Sequence, residues 1–442
     1  MIGKRRISNV VGRLYAAAIL SLLASSLLVA CGDGDKAVDG KGDDELEVPN
    51  AYVFDSRFNQ NESSVFYGGQ VVRNLLLQDL KVFIDNLAKD GAQPVSVQDL
   101  LNFYEYDDGL DLLSLSTAGS KPVLEQRYSS ISTGKNLVGK ISGDIVIGYG
   151  VTADELVRGW FEVIAANSQD ADKLGTAAVY TDDNGVDLTQ MINKVLIGAV
   201  PYFQATGVYL DGLLDQDNSL PRSEGNASTA MEHAWDEAFG YFGAARDYGR
   251  YSDEQLAGGV DEYTFDSNGD GQIDFQGEYN FGLSRNAGKR DKGGMGVNFT
   301  RDIFNAFLTG RTLIANQGAV VDIASQRQAA AEGMEKVIAA TVVHYINETL
   351  QDMAALGSDD ENRTDMNKHW AEMKGFTVAL QYSPFRLIGQ GQLEELHDIM
   401  GQSPEYDAPG SEAYDEAISN YMRAKEVLQG AYGFSAENMA DW

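Results

Sequence analysis

Apolar residues recur at three- and four-residue spacing along most of the chain beyond position 70, the interval that places side chains on one face of a helix. Val72, Leu75, Leu76, Leu80, Phe83, Ile84 and Leu87 form one such stripe over 71–87. Thr152-Ala-Asp-Glu155 is a capping box, in which the two end side chains satisfy each other's free backbone N–H groups, and it opens a helix to about Ala166. Asp187 starts another through Met191, Val195 and Leu196, which Pro201 ends or kinks. Ser228 caps a helix bearing Met231, Trp235, Ala238, Phe239 and Phe242. Further helices are expected over 302–316, over 326–356 (the longest), and from Thr364 to Leu380, where Ser383-Pro384 turns the chain. Shorter ones follow at 393–400 and 413–429. Strand patterns are scarce, Asp144-Ile-Val-Ile-Gly148 being the best. The pattern therefore predicts an all-α or nearly all-α fold of one or two helical bundles. The body is expected over 50–442, and any subdivision falls in the long Gly/Asp-rich stretch 255–298.

The first thirty residues do not belong to that body. Lys4, Arg5, Arg6 and Arg13 precede an apolar run from Leu14 to Ala30, which ends Leu28-Val29-Ala30-Cys31. A basic start, an apolar centre and small residues before a cut make a secretory signal, here 1–30. Cysteine after Leu-Val-Ala resembles the lipobox of bacterial lipoproteins, so Cys31 is the expected lipid anchor, carrying palmitate-type chains. Residues 31–49 hold few apolar groups and read as a flexible tether. Gly32 follows the cysteine where an Asp would hold the protein at the inner membrane; by resemblance to enteric sorting, this favours the outer membrane. The membrane is then a partner through lipid alone.

Composition adds two exclusions. Cys31 is the only cysteine, which rules out an internal disulfide and a Cys nucleophile. Export removes 4 of the 34 basic residues and no acidic ones, leaving 30 against 66 and a net charge near −36. Such a surface repels nucleic acid and attracts cations and basic partners.

Two constellations offer chemistry. Asp266-Ser-Asn268-Gly-Asp270-Gly271-Gln272-Ile-Asp274 puts oxygen ligands at alternate positions and glycine at the sixth, as a loop wrapping calcium requires. Asp266, Asn268, Asp270 and Asp274 would ligate by side chain and Gln272 by its carbonyl. The twelfth position is Gly277, so the bidentate glutamate of an EF-hand is out of register at Glu278. The second constellation is the four histidines, each with a carboxylate three or four residues away: His233 with Glu237, His344 with Glu348, His369 with Glu372, His397 with Glu394. On a helix these pairs share a face, where imidazole and carboxylate can hold zinc or iron or simply bond one another. His369, Glu372, His233 and Glu237 are the candidate transition-metal set. No His-Glu-x-x-His, Gly-x-Ser-x-Gly or phosphate-loop motif is present.

Tyr52-Val-Phe, Ser63-Ser-Val, Glu232-His-Ala-Trp-Asp-Glu-Ala-Phe-Gly-Tyr-Phe-Gly243, Glu278-Tyr-Asn-Phe-Gly282 and His369-Trp-Ala-Glu-Met-Lys-Gly-Phe376 together resemble a bacterial lipoprotein family known only as domain of unknown function 4856. That family is similar in turn to the imelysin-like proteins, helical envelope proteins linked to iron uptake and in some members to peptidase activity. The resemblance implies a Gly-x-His-x-x-Glu motif, of which His369-Trp-Ala-Glu372 matches the second half, with Asn367 in place of the glycine. Three functions are thus expected in turn: a non-enzymatic, cation-binding envelope lipoprotein serving iron or other metal acquisition, an imelysin-like metallopeptidase, and a structural lipoprotein docking an outer-membrane receptor.

Overall fold

The computed structural model describes residues 46–110, 112 and 127–442. The expected signal 1–30, the expected anchor Cys31 and most of the expected tether lie outside the described residues. Within them the chain forms fourteen α-helices. In order these are α1 Gly68–Asn86, α2 Val97–Tyr104, α3 Tyr128–Ile131, α4 Ala153–Ser168, α5 Leu188–Ile197, α6 Ala230–Phe242 and α7 Asp253–Ala257. Then come α8 Gly282–Gly293, α9 Phe299–Ala315, α10 Val320–Ala354, α11 Arg363–Ala379, α12 Gln390–Met400, α13 Glu412–Tyr432 and α14 Ala436–Asp441. The fold is all-α: among the described residues β-structure is limited to five isolated bridges. None of the described helices is long and apolar enough to cross a membrane.

Local chemistry sets the helix starts. Thr152 and Glu155 form the expected capping box, and the Asp187 carboxylate accepts from the Gln190 N–H. At α6 the cap is Thr229 rather than Ser228, because Thr229 boxes with Glu232 three residues on. Pro201 neither stops nor sharply breaks its helix. The chain continues through π-helical turns at Gly198–Tyr202 and Gln204–Leu210, whose wider ring tolerates the missing N–H. The expected strand at 144–148 is a turn: Val146 N–H bonds Val151 O at 2.8 Å, Tyr149 N–H returns to Val146 O, and only Ile145 and Thr152 form a bridge.

Residues Leu46–Trp442 pack as one unit, and the 255–298 stretch lies inside it. The long α10 packs against α9 on one side and α11 on the other; α11 packs on α5, and α5 on α1. A stacked aromatic pair, Tyr52 on Phe239 at 3.8 Å, ties the N-terminal segment to α6. Beneath it Arg311, fully buried, binds Glu232 at 3.1 Å and Asp236 at 2.9 Å. Glu232 and Asp236, two of the three acids of the Glu232–Gly243 stretch, are therefore fold-holding groups.

Candidate functional site: a basic pocket between four helices

A cavity of about 280 Å³ opens where α1, α5, α8 and α11 meet. Each helix turns one stripe toward it: Asn74, Leu77, Gln78 and Lys81 from α1; Gln190, Asn193, Lys194 and Ile197 from α5; Gly282, Arg285, Asn286 and Lys289 from α8; Lys368 and Glu372 from α11. The repeated spacing of three, four and seven is what one helical face presents. Five of these side chains are basic and Glu372 is the acid among them. In a chain of net charge −32 that concentration is against the average by a wide margin.

Two of the five cations are already neutralised. Lys81 pairs with Asp85 at 2.7 Å, and Lys194 with Glu372 at 3.1 Å. Arg285 donates to Gly258 O at 3.2 Å and lies over the Tyr263 ring. Lys289 and Lys368 have no hydrogen-bond or ion-pair partner among the described residues. Burial, then the nearby Arg285 and Lys194, pull the Lys289 amine down to about 8, with Glu372 opposing. Burial pushes the Glu372 carboxyl up, but Lys194, Lys368 and a 2.9 Å bond from the Tyr345 hydroxyl outweigh it and hold the group below its usual range. The pocket is thus a half-enclosed well of positive charge, able to attract and hold a small anion. Two other depressions, of about 490 and 1060 Å³, mix acidic and basic residues on their walls.

The candidate metal residues are placed differently from what their spacing suggests. His369 Nδ1 stands 2.8 Å from Asp352 on α10, not beside Glu372, because Glu372 turns inward to Lys194. His233 does meet Glu237, at 3.5 Å, and Gln70 also donates to that carboxylate at 2.8 Å. His344 and Glu348 form no ion pair among the described residues, and both His397 nitrogens are buried without a hydrogen bond while Glu394 binds Gln390. Asn367, where the imelysin glycine would stand, accepts from the Tyr406 hydroxyl. Among the described residues no three His, Cys, Asp or Glu side chains gather in metal-holding geometry.

Asp266, Asn268, Asp270, Gln272 and Asp274 do form a tight loop between α7 and α8. The Asp266 carboxylate accepts from the N–H groups of Gly269, Asp270 and Gly271, while Asn268 accepts from Asp270 and Asp270 from Gln272. Gly271 has φ +86°, a conformation glycine adopts without strain. Glu278, one residue late for an EF-hand, is buried and accepts from the backbone N–H groups of Ser267, Asn268 and Asp274. It braces the loop from below. The flanking helices are short of the loop on both sides, so no helix–loop–helix forms.

The residues missed in the sequence are the pocket's polar ones. Their signal was present: Gln190, Asn193 and Lys194 sit at helical spacing inside the mostly apolar Leu188–Ile197, and all three are buried. No curated protein and no solved structure matches the chain. One family does, described as Domain of unknown function (DUF4856); it matches residues 49–386, a span that includes α1 to α11 and every side chain of the pocket, and the chain belongs to it.

Proposed function

We propose that the protein is a lipid-anchored, non-enzymatic binding protein of the cell envelope that captures a small anionic solute in the pocket between α1, α5, α8 and α11. The observation that carries this reading is the pair of unpartnered amines, Lys289 and Lys368, in a pocket holding five basic groups and one acid. Arg285 and Lys194 bear on Lys289 as like charges, and a bound anion relieves that repulsion. The acidic exterior keeps indifferent anions dilute near the protein at low salt, which places the selectivity in the pocket itself. Metal ligation by His369 and Glu372 finds less support, since each already has another partner. The loop 266–274 supplies a separate calcium clamp, and Cys31 the anchor to the outer membrane.

The test is a melting-temperature and calorimetric survey of the signal-free protein with sulfate, phosphate, succinate and citrate at low ionic strength. A bound anion stabilises by linkage, about 2.7 kcal/mol at one hundred times its Kd. Wild type is expected to gain stability with at least one of these anions, and the double variant Lys289→Met, Lys368→Met to gain none. Wild type indifferent to every anion at millimolar concentration would refute the reading. Palmitate labelling that survives Cys31→Ala would refute the anchor.

A further inference from the structure

The cavity is charged at one end and apolar at the other, and three of its helices change character in step. On α8 the wall passes from Gly282 and Leu283 to Lys289, which lies about 10 Å beyond Gly282 along the axis. On α1 Leu77 comes one turn before Lys81, and on α5 Lys194 gives way to Ile197 and then Pro201. The like ends coincide in space. Lys289 feels the charges of Lys194 and Glu372, Lys194 that of Lys81, and Glu372 that of Lys368, so the charged groups gather together. At the other end a Cβ on Gly282 would stand 3.6 Å from Ile197 Cδ1 and meet no other atom of a neighbouring element within 4 Å. A wall that only continued the core would be closed here by a side chain. Instead Gly282 is exposed, and Leu77, Ile197 and Leu283 border the open space. The polar groups beside them are engaged elsewhere. Asn74 donates to Gly240 O at 3.0 Å, Gln78 to the Tyr279 hydroxyl at 2.8 Å, and Arg285 turns to Gly258 O and the Tyr263 ring.

Resting on the anion-binding reading above, we infer that the ligand is an amphiphilic organic anion: one carboxylate or phosphate head on a compact apolar body, a short branched chain or a single aromatic ring. The head sits at the Lys289 and Lys368 amines, and the body lies against Leu77, Ile197 and Leu283. Inorganic anions use the first end alone. A hydroxylated body would lose its water against the apolar end and gain no partner there. A neutral apolar solute would leave the amines without a counter-charge. The size agrees, since a cavity of about 280 Å³ lies at the small end of ligand pockets, which run roughly 300–1,000 Å³. Each buried methylene strengthens binding roughly fourfold, so the body sets which anion is held.

The experiment is calorimetry on the signal-free protein with 4-methylpentanoate, benzoate, phenyl phosphate, acetate, inorganic phosphate and benzyl alcohol. At least one of the three apolar-bodied anions is expected to bind tenfold or more tighter than its bare head, acetate or phosphate, and than benzyl alcohol; which one separates a carboxylate from a phosphate ligand. Gly282→Val fills the apolar end, and is expected to bring that anion within threefold of its bare head while the bare head binds as before. Lys289→Met is expected to weaken every anion. Circular dichroism checks that Gly282→Val folds; if it does not, the series acetate, butanoate, 4-methylpentanoate on wild type reads the same dependence without a variant. Bare heads binding as tightly as all three apolar-bodied anions would overturn the apolar body and leave the anion pocket standing. An apolar-bodied anion held equally by Gly282→Val and wild type would overturn its placement beside Ile197. Benzyl alcohol binding as tightly as benzoate would overturn the need for charge. No anion binding at all would bring down the anion reading with it.

Discussion

Lys194 and Glu372 meet at 3.1 Å across the contact of α5 and α11, at a place where the helices come together over Gly375. A Cβ on Gly375 would lie 2.7 Å from the Lys194 Cβ, so the glycine is what lets the lysine stem pass. The pairing turns Glu372 away from His369 and into the pocket, and it opposes the pull of burial, which still leaves the Lys194 amine below its usual value. Anion binding needs charged amines. With Lys289 at about 8, sulfate affinity is expected to be flat near neutrality and to fall as pH rises through 8. Glu372→Gln removes the counter-charge of Lys194, so that decline should begin at lower pH. Lys368→Met should weaken binding and leave the pH midpoint in place. Sulfate is the right probe because its own charge is constant over the range. An affinity independent of pH from 6 to 10 would contradict the assignment of Lys289.

The histidines divide by environment. Burial, then Arg290, pushes His344 down to about 3, and burial, then Lys374, does the same to His397. For His369 burial acts downward too, but Asp352 outweighs it and the ring titrates above its ordinary value. The signs differ accordingly. A histidine kept neutral in the fold contributes stability that is complete above the unfolded value near 6.5 and is lost as pH falls through it. His369 contributes stability that is present below 6.5 and lost as pH rises through its folded value. Proton NMR is expected to show His369 titrating above 6.5 and His344 and His397 still neutral at pH 5. His397→Leu should reduce the loss of melting temperature between pH 7 and pH 5, since each neutral buried histidine steepens that loss by up to about 1.4 kcal/mol per pH unit.

Arg311 holds the N-terminal segment to the bundle. Fully buried, it binds Glu232, Asp236 and, at 2.7 Å, the Ser64 hydroxyl, while Tyr52 donates to Asp236 at 2.8 Å and Arg57 reaches Glu232 at 3.2 Å. Even so compensated, Asp236 is pushed up to about 6 by burial. Removing the guanidinium leaves two carboxylates without it, and Arg311→Met is expected to cost about 3–5 kcal/mol in urea unfolding. Adding Glu232→Gln and Asp236→Asn should recover part of that. A single-variant cost below about 1 kcal/mol would contradict the network.

Several helices were legible in this sequence where a local rule set them, while the boxes Ser96–Asp99 of α2 and Ser252–Gln255 of α7 went unread. The Thr152–Glu155 box, the Asp187 cap and the apolar stripe of α1 stand in the structure as their residues predict. The π-helical passage through Pro201 was not legible, because whether a proline ends a helix or widens it depends on neighbours from α11 that hold the chain in place. The pocket escaped for a related reason. Helical spacing says that His369 and Glu372 share a face, yet each takes its partner from another helix, Asp352 and Lys194, which no spacing on α11 encodes. Charge counting pointed outward to cations, while the five basic side chains that line the pocket are turned inward.

The loop 266–274 carries the last expectation. Its three aspartates crowd negative charge onto a turn already closed by N–H groups bonding Asp266, Asn268 and Asp270, and braced by Glu278. Burial raises the Asp274 carboxyl, with nearby Glu278 acting in the same direction and backbone N–H groups opposing. A hard cation would offset that crowding with oxygen ligands in place. Calcium is therefore expected to raise the melting temperature, with an affinity in the weak range of extracellular modules, about 10⁻⁴–10⁻³ M, because Glu278 is engaged with backbone and out of register for bidentate ligation. Asp270→Ala should abolish the increment and change little in calcium-free buffer, since Asp270 is exposed. Gly271→Ala should lower stability with or without calcium, as its φ of +86° strains any side chain. Magnesium, which demands a tighter octahedron, should substitute poorly. A melting temperature unmoved by 5–10 mM calcium (about tenfold above that Kd range) would reduce the loop to a self-capped turn.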